Sequence, residues 1–318
     1  MKQLTVVCPA YNEEEGITTF YETLKAELAK ISDRYATDIL FVVDGGNDGT
    51  FGILETLAKR ESNVRVIKFS RNFGHQMALL AGLDHATGDI VITMDSDLQH
   101  PPEIIPELLA EYEKGNDIVY TVRTGTEGGS VVRRLAGRMF YRFFQLISDL
   151  PMNENVADFR LTSRRVVDVL KNDLRERTLF LRGLVSWVGF RQAPVFFTAK
   201  RRFAGESHYS FSKLVGFAIL GAVSFSKKPL RLATYVGFTF ALFGFFFAIL
   251  TTIQYFIGNV FPAGWATVTV LLSIFSGTQL IFLGILGEYI GVIFDEAKAR
   301  PHYIIEEAIN IPSDVANR

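Results

Sequence analysis

The sequence contains a single cysteine, Cys8, in 318 residues. That excludes a disulfide framework and any zinc site built from cysteine thiolates. It carries no G-x-G-x-x-G after its first apolar run and no G-x-x-x-x-G-K-[ST], so neither a dinucleotide-binding fingerprint nor a P-loop is present. No serine sits in a nucleophile elbow. The first apolar run, Leu4–Cys8, is short and leads directly into Pro9, unlike the core of a secretory leader. The N-terminal part is therefore expected to remain cytosolic, and no feature calls for a nucleic-acid partner.

A second absence is more telling. From Leu232 to Gly287 there is no Asp, Glu, Lys, Arg or His across 56 consecutive residues. A bilayer core takes about 20 apolar residues per helix, so the run accommodates two spans. The break at Gly258–Trp265 divides them into roughly 232–257 and 266–287, the second extending toward 294. Lys227, Lys228 and Arg231 precede the pair, and Lys298 and Arg300 follow it, whereas the connecting loop has no basic residue. The positive-inside rule then places both outer ends, and hence both termini, in the cytoplasm. Gly284, Gly287 and Gly291 would permit close helix contacts, including self-association.

The remaining charge is unevenly spread. Residues 1–121 hold 10 basic and 20 acidic side chains, residues 122–231 hold 20 and 8, and residues 232–318 hold 3 and 6. The near-neutral total thus conceals an acidic block, a basic block and an almost uncharged one. Two stretches of the basic block, 133–147 and 207–231, interleave Arg and Lys with large apolar residues at helical spacing, the pattern of helices lying in a membrane interface.

In residues 1–121, apolar runs alternate with helical stretches. Leu4–Cys8, Ile39–Val43, Val64–Phe69, Ile90–Met94 and Ile118–Val122 read as strands. Glu13–Ile31, Thr50–Lys59, Gln76–Ala86 and Pro102–Glu113 read as helices. Such alternation predicts βαβ units and a parallel sheet covered on both faces, with ligands beyond the C-terminal strand ends. Polar loops follow each run there: Pro9–Glu13, Asp44–Thr50, Ser70–Gly74 and Asp95–Pro102. The last holds the strongest chemical signal, Asp95 and Asp97 at i and i+2. An isolated Asp-x-Asp more often caps a helix, but four polar loops converging on one sheet edge favour a ligand. Hard divalent cations take carboxylate oxygens and bridge to substrate phosphates. Asp97 is the stronger candidate, with Asp95 and Gln99 beside it.

Taken together and in order, these motifs resemble the family 2 glycosyltransferases of the GT-A fold, and more narrowly those that use polyprenyl phosphates. The resemblance continues through Asp158-Phe159-Arg160-Leu161, Arg202–Tyr209, Leu286–Gly291 and Ala299-Arg300-Pro301. Two positions depart from the family's D-D-G-S motif: Val43 replaces the first Asp and Gly46 the Ser. The Q-x-x-R-W motif of processive synthases is absent.

The resemblance implies an α/β protein with a GT-A, Rossmann-like, mostly parallel sheet and helices on both faces. Amphipathic interface helices and two transmembrane helices follow. The expected domains are a cytosolic transferase over 1–205, an interface segment over 206–231, the spans over 232–294 and a cytosolic tail over 295–318. The implied reaction is inverting transfer of a sugar to a membrane polyprenyl phosphate. Glucose from UDP-glucose is the leading donor, with GDP-mannose or another UDP-sugar as the alternative. A non-catalytic, membrane-anchored sugar-nucleotide-binding protein is the competing class. Mg²⁺ or Mn²⁺ would be held by Asp97, Asp95 and Gln99. The implied catalytic residues are Asp158, at the family's base position, and Asp95. Donor contacts fall to Pro9, Tyr11, Asn12, Glu13, Asp44, Gly45, Arg71, Asn72, Gly74 and Ser96. Guanidinium groups pair bidentately with phosphate, which points to Arg123, Arg133, Arg138 and Arg202, with Lys213, for the acceptor phosphate.

Overall fold

A computed structural model describes residues 1–126, 156–177, 179–199, 226–257 and 264–311. The chain divides into a sheet unit and a helical unit, and residues 300 onward belong with the sheet.

Four apolar, β-branched segments form parallel strands: β1 (Lys2–Ala10), β2 (Tyr35–Val43), β3 (Val64–Phe69) and β4 (Ile90–Thr93). All are buried along most of their length, as the near-continuous hydrophobic runs require of a sheet covered on both faces. The helices α1 (Ile17–Ala29), α2 (Thr50–Arg60), α3 (His75–His85) and α4 (Ile105–Glu113) connect them, the last preceded by a 3₁₀ turn at Pro102–Ile104. Elements and spacing follow the sequence reading to within a few residues. Beyond them come β5 (Ile118–Thr126), β6 (Val156–Ser163), α5 (Arg164–Asn172), α6 (Leu181–Trp187) and β7 (Gln192–Ala199).

The strand order is β7-β5-β6-β4-β1-β2-β3-β8, where β8 is Ile305–Ile309. β6 runs antiparallel between β4 and β5, and β7 is parallel to β5. The C-terminal ends of β1–β5 and β7 and the N-terminal end of β6 therefore share one edge. One face packs Leu4, Val6, Cys8, Phe41 and Ile92 against Phe20 and Leu24 of α1, Leu54 of α2 and Leu108 of α4. α3 packs against β1 and β2, and also meets α5. That contact is close: a Cβ at Gly82 would stand 2.0 Å from Val7 Cγ1. Overpacking a core typically costs about 1–3 kcal/mol. Gly82→Ala should therefore lower the urea midpoint by the equivalent of about 2 kcal/mol.

Within the stretch expected as a tail, β8 adds an edge strand antiparallel to β3, with Val66 opposite Ile309 and Ile67 opposite Ala308. Lys68 pairs with Glu306 and Glu307, each at 3.0 Å. Asn310 Nδ2 donates to the carbonyls of Ala58 and Val64, both at 2.8 Å. Tyr303 stacks on Phe69 with ring centroids 5.1 Å apart and donates from its hydroxyl to Asp84 Oδ2 at 2.7 Å. The sequence of β8 is a short run with two exposed glutamates, too weak a pattern to show as a strand.

The helical unit contains α7 (Lys228–Phe256) and α8 (Trp265–Lys298). Within them Lys228–Phe247 and Ile274–Lys298 are long and apolar enough to cross a membrane. Phe238, Phe245, Leu280 and Ile281 are each more than 60% exposed, so these helices are not the core of a soluble fold. α8 follows the longer of the expected bounds, running past 294 to Lys298, and it stops at Ala299, which adopts φ +48°. At 1.5 Å per residue its 34 residues extend about 51 Å, well beyond a hydrocarbon core of about 30 Å.

Candidate active site

The site is assembled along the shared edge from the loops that follow the strands. At β1, Pro9 accepts a 2.7 Å hydrogen bond from the buried Ser96 hydroxyl, which ties the β1 and β4 loops together. Tyr11 is 49% exposed beside it. Asn12 adopts φ +53° and its Oδ1 accepts from Asn47 N at 3.3 Å. The Glu13 amide donates to Thr50 Oγ1 at 2.9 Å, joining the first loop to the start of α2.

Asp44 is buried at the end of β2. Its carboxylate accepts from the amides of Phe73 at 2.7 Å and Gly74 at 2.9 Å. Burial raises its pKa, while these two amides act in the opposite direction. Asp44 therefore braces the loop carrying Arg71, Asn72 and Gly74. Arg71 lies over the Phe73 ring, 4.2 Å from its centroid. Gly45 at φ +64° allows the two loops to cross: a Cβ there would stand 2.6 Å from Arg71 C and Asn72 N. The side chains of Asp44 and Ser96, both expected at the donor, are thus bonded within the scaffold.

The β4 loop is organised by His100, which is fully buried and stacked on Phe159 at 5.4 Å. Its Nδ1 accepts from the Asp95 amide at 3.0 Å, and its Nε2 lies 3.2 Å from Arg123 Nη2. Burial lowers its pKa. Leu98 takes φ +63°, and Asp97 Oδ1 accepts from Gln99 N at 3.0 Å. Asp95 and Asp97 are both partly exposed. Asp95 Oδ1 makes no hydrogen bond among the described residues, although His75 Nε2 stands 3.4 Å away.

Asp158 reaches the site from the next strand. Thr93 pairs with Arg160 between antiparallel β4 and β6, so two residues further toward the edge Asp95 and Asp158 lie side by side. Thr93 Oγ1 also donates to the Asp158 carbonyl at 2.6 Å. The Asp158 carboxylate accepts from Arg160 Nη2 at 2.7 Å on Oδ1 and from Arg182 Nη2 at 2.9 Å on Oδ2. His75 Nε2 lies 3.7 Å from Oδ2. Burial alone would raise the Asp158 pKa, but Arg182, His75 and Arg160 override it and hold the carboxyl well below its usual range.

Residues 5–170 match the model of glycosyl transferase family 2. The chain belongs to that family. A bactoprenol glucosyl transferase of Shigella phage SfII is 40% identical, over 96% of this chain and 98% of its own. A prophage bactoprenol glucosyl transferase homolog of Escherichia coli is also 40% identical, over the same shares of each chain. An uncharacterized glycosyltransferase of Bacillus subtilis is 39% identical, over 97% of this chain and 95% of its own.

In this family 2 transferase the structure brings the loops expected to bind the donor, together with Asp95, Asp97, Asp158 and Arg123, to one edge of the sheet. Arg133, Arg138, Arg202 and Lys213 lie outside the described residues, as do the interface stretches 133–147 and 206–225. Of the side chains around Asp158, Arg160 enters the sequence reading only as part of the motif that carries the resemblance, and His75 and Arg182 do not enter it. His75 is the first residue of α3 and Arg182 is on the short helix α6. Neither lies in a motif with chemical spacing, and only the β4–β6 register shows their convergence.

His75 also gives a pH signature. Burial pulls its pKa down, but Asp158 and Asp95 raise it to about 9, against an ordinary 6.5. Its stabilising contribution is complete below about pH 6.5 and is lost as the pH rises toward 9. In chelator, the difference in thermal midpoint between wild type and His75→Gln should therefore shrink from pH 6.5 to pH 9.

The carboxylates suit a divalent cation. Among the described residues no three side chains form a closed ligand cage. Mg²⁺ commonly binds through one or two carboxylates and completes its shell with waters and substrate phosphates. Asp95, with its buried and unbonded Oδ1, and the partly exposed Asp97 fit that pattern.

Proposed function

We propose that this protein transfers a sugar from a nucleotide-sugar donor to the phosphate of a membrane polyprenyl phosphate, with inversion at the anomeric carbon. The donor is glucose carried on UDP, and GDP-mannose or another UDP-sugar is the second choice. The observation that carries this reading is the full-length match to bactoprenol glucosyl transferases, which extends through the apolar helices as well as the sheet. The relatives' names contain both the sugar and the lipid, and the two apolar helices supply a reason for a lipid acceptor.

In this reading Asp97 and Asp95, with Gln99 beside them, would hold Mg²⁺ or Mn²⁺, and the bound ion would supply charge neutralisation for the leaving diphosphate. The loops after β1, β2 and β3 bind the nucleotide. Gly45 lets the β2 and β3 loops cross, Asp44 braces Phe73 and Gly74, and Tyr11, Asn12, Glu13, Arg71 and Asn72 contact the donor. The acceptor is a phosphate monoester whose second pKa is about 6. At pH 7 it is mostly a dianion and is itself the nucleophile, so no strong base is required. Asp158, held as an anion by Arg160 and Arg182, orients the reacting groups and opposes the positive charge that develops at the anomeric carbon.

In this reading Arg123, Arg133, Arg138 and Arg202, with Lys213, take the acceptor phosphate, since guanidinium groups pair bidentately with phosphate oxygens. The basic flanks of the two apolar helices, Lys227, Lys228 and Arg231 before and Lys298 and Arg300 after, support a cytosolic placement of both outer ends in this reading.

The test is transfer of radiolabelled glucose from UDP-glucose to a polyprenyl phosphate, in detergent, with Mg²⁺ or Mn²⁺. Label should enter the organic-extractable fraction only when lipid phosphate is present. Substituting GDP-mannose, other UDP-sugars and a no-metal arm identifies the donor and the ion requirement. Binding of UDP-glucose without transfer to any lipid would favour the non-catalytic alternative.

A further inference from the structure

We propose that Arg182, with the His75 ring beside it, seats the phosphate of the lipid acceptor against Asp158. This rests on the transferase reading above and adds to it a binding site whose residues belong to none of its motifs.

The first observation is how the cluster is oriented. Asp158 is 10% exposed at its side chain and Arg160 is 5% exposed, so this ion pair forms the floor. Arg182 is 30% exposed and His75 is 41% exposed, and these two form the rim. Two guanidiniums meet one carboxylate at Asp158: Arg160 Nη2 donates to Oδ1 at 2.7 Å, while Arg182 spans both oxygens, Nη2 to Oδ2 at 2.9 Å and Nε to Oδ1 at 3.4 Å. A group approaching from solvent thus meets cationic and N–H donor chemistry first, with the balancing carboxylate beneath it. That polarity suits an anion, and planar guanidinium donors suit phosphate oxygens.

The second observation is position in the sheet. β4 divides the site edge: β1, β2 and β3 lie on one side and β6, β5 and β7 on the other. The nucleotide-type loops belong to the first half. Asp158 belongs to β6 in the second half. A phosphate held there lies beside Asp95 and across from the donor loops, the placement an in-line attack on the sugar requires. Arg182 arrives from α6 and His75 from the start of α3, so the seat is fixed by two independent elements.

The test uses steady-state kinetics of the full-length protein in detergent, with UDP-glucose and a short-chain polyprenyl phosphate as substrates. Inorganic phosphate serves as a competitor of the acceptor. Arg182→Met removes the charge while keeping length, and Arg182→Lys keeps the charge while losing the fork. The expected result for Arg182→Met is an acceptor KM raised about tenfold or more, with the UDP-glucose KM within twofold. Phosphate inhibition should weaken in parallel, and Arg182→Lys should fall between Met and wild type. His75→Gln should raise the acceptor KM by a smaller factor.

A fall in kcat with the acceptor KM unchanged would mean that Arg182 only positions Asp158, and would overturn the proposal. A rise in the UDP-glucose KM with the acceptor KM unchanged would assign the seat to the donor diphosphate and overturn it equally. If Arg182→Met does not fold, as judged by its thermal transition, the same readouts on Arg182→Lys decide. Failure of the underlying reading is distinguishable, because wild type itself would then transfer no sugar to lipid phosphate.

Discussion

Asp97→Asn should reduce sugar transfer by about a thousandfold and weaken Mn²⁺ retention in the presence of UDP, measured by calorimetry or by the Mn²⁺ resonance signal. The magnitude follows from charge neutralisation on the leaving diphosphate. A cation there contributes several kcal/mol to the transition state, and each 1.36 kcal/mol is tenfold in rate. The Asn variant is informative because Asp97 Oδ1 also accepts the Gln99 amide at 3.0 Å. Asparagine retains an oxygen for that turn, so the loop conformation with Leu98 at φ +63° survives while the charge does not. An unchanged Tm with lost transfer would locate the effect in the ion rather than the loop. Wild-type turnover in Asp97→Asn would remove Asp97 from the ligand set.

Asp158→Asn should lower kcat about a hundredfold or more, leave the donor KM within about threefold and destabilise the fold by about 3 kcal/mol. The stability loss comes from Arg160, whose guanidinium is buried and pairs with Asp158 Oδ1 at 2.7 Å. Removing one partner of a buried ion pair leaves an uncompensated charge, typically at a cost of about 3–5 kcal/mol. Asparagine retains one acceptor oxygen, which places the expectation at the low end. Calorimetric unfolding checks the stability, and kinetics with each substrate varied separately check the rest. A Tm equal to wild type would contradict the ion-pair account. An unchanged kcat would remove Asp158 from the chemistry.

The contrast between these two aspartates shows what the sequence made legible. Asp97 follows an apolar run in a loop at a strand end, and the period of the strand and the i, i+2 spacing are both visible in one dimension. The same holds for β1–β5 and their helices, where long β-branched runs alternate with amphipathic ones. Asp158 comes through resemblance, with Arg160 in the same motif, and nothing in the sequence signals His75 or Arg182 beside them. His75, Arg160 and Arg182 are separated by 85 and 22 positions, and their meeting depends on β6 being inserted antiparallel between β4 and β5. Asp44 and Ser96 show the reverse: their positions were anticipated, but their side chains are bonded to the Phe73 and Gly74 amides and to the Pro9 carbonyl. Polar residues at a strand end look alike in sequence whether they face a ligand or brace a neighbouring loop.

The C-terminal strand has a consequence for how the protein is made. β3, with the sequence VRVIKF, completes its hydrogen-bonding edge only when Ile305–Ile309 arrives. In synthesis that happens after both apolar helices have left the ribosome, more than 230 residues after β3 itself. Until then the nascent sheet presents an open, β-branched edge of the kind that recruits other chains. Closure of the sheet thereby waits until both long apolar helices have been synthesised.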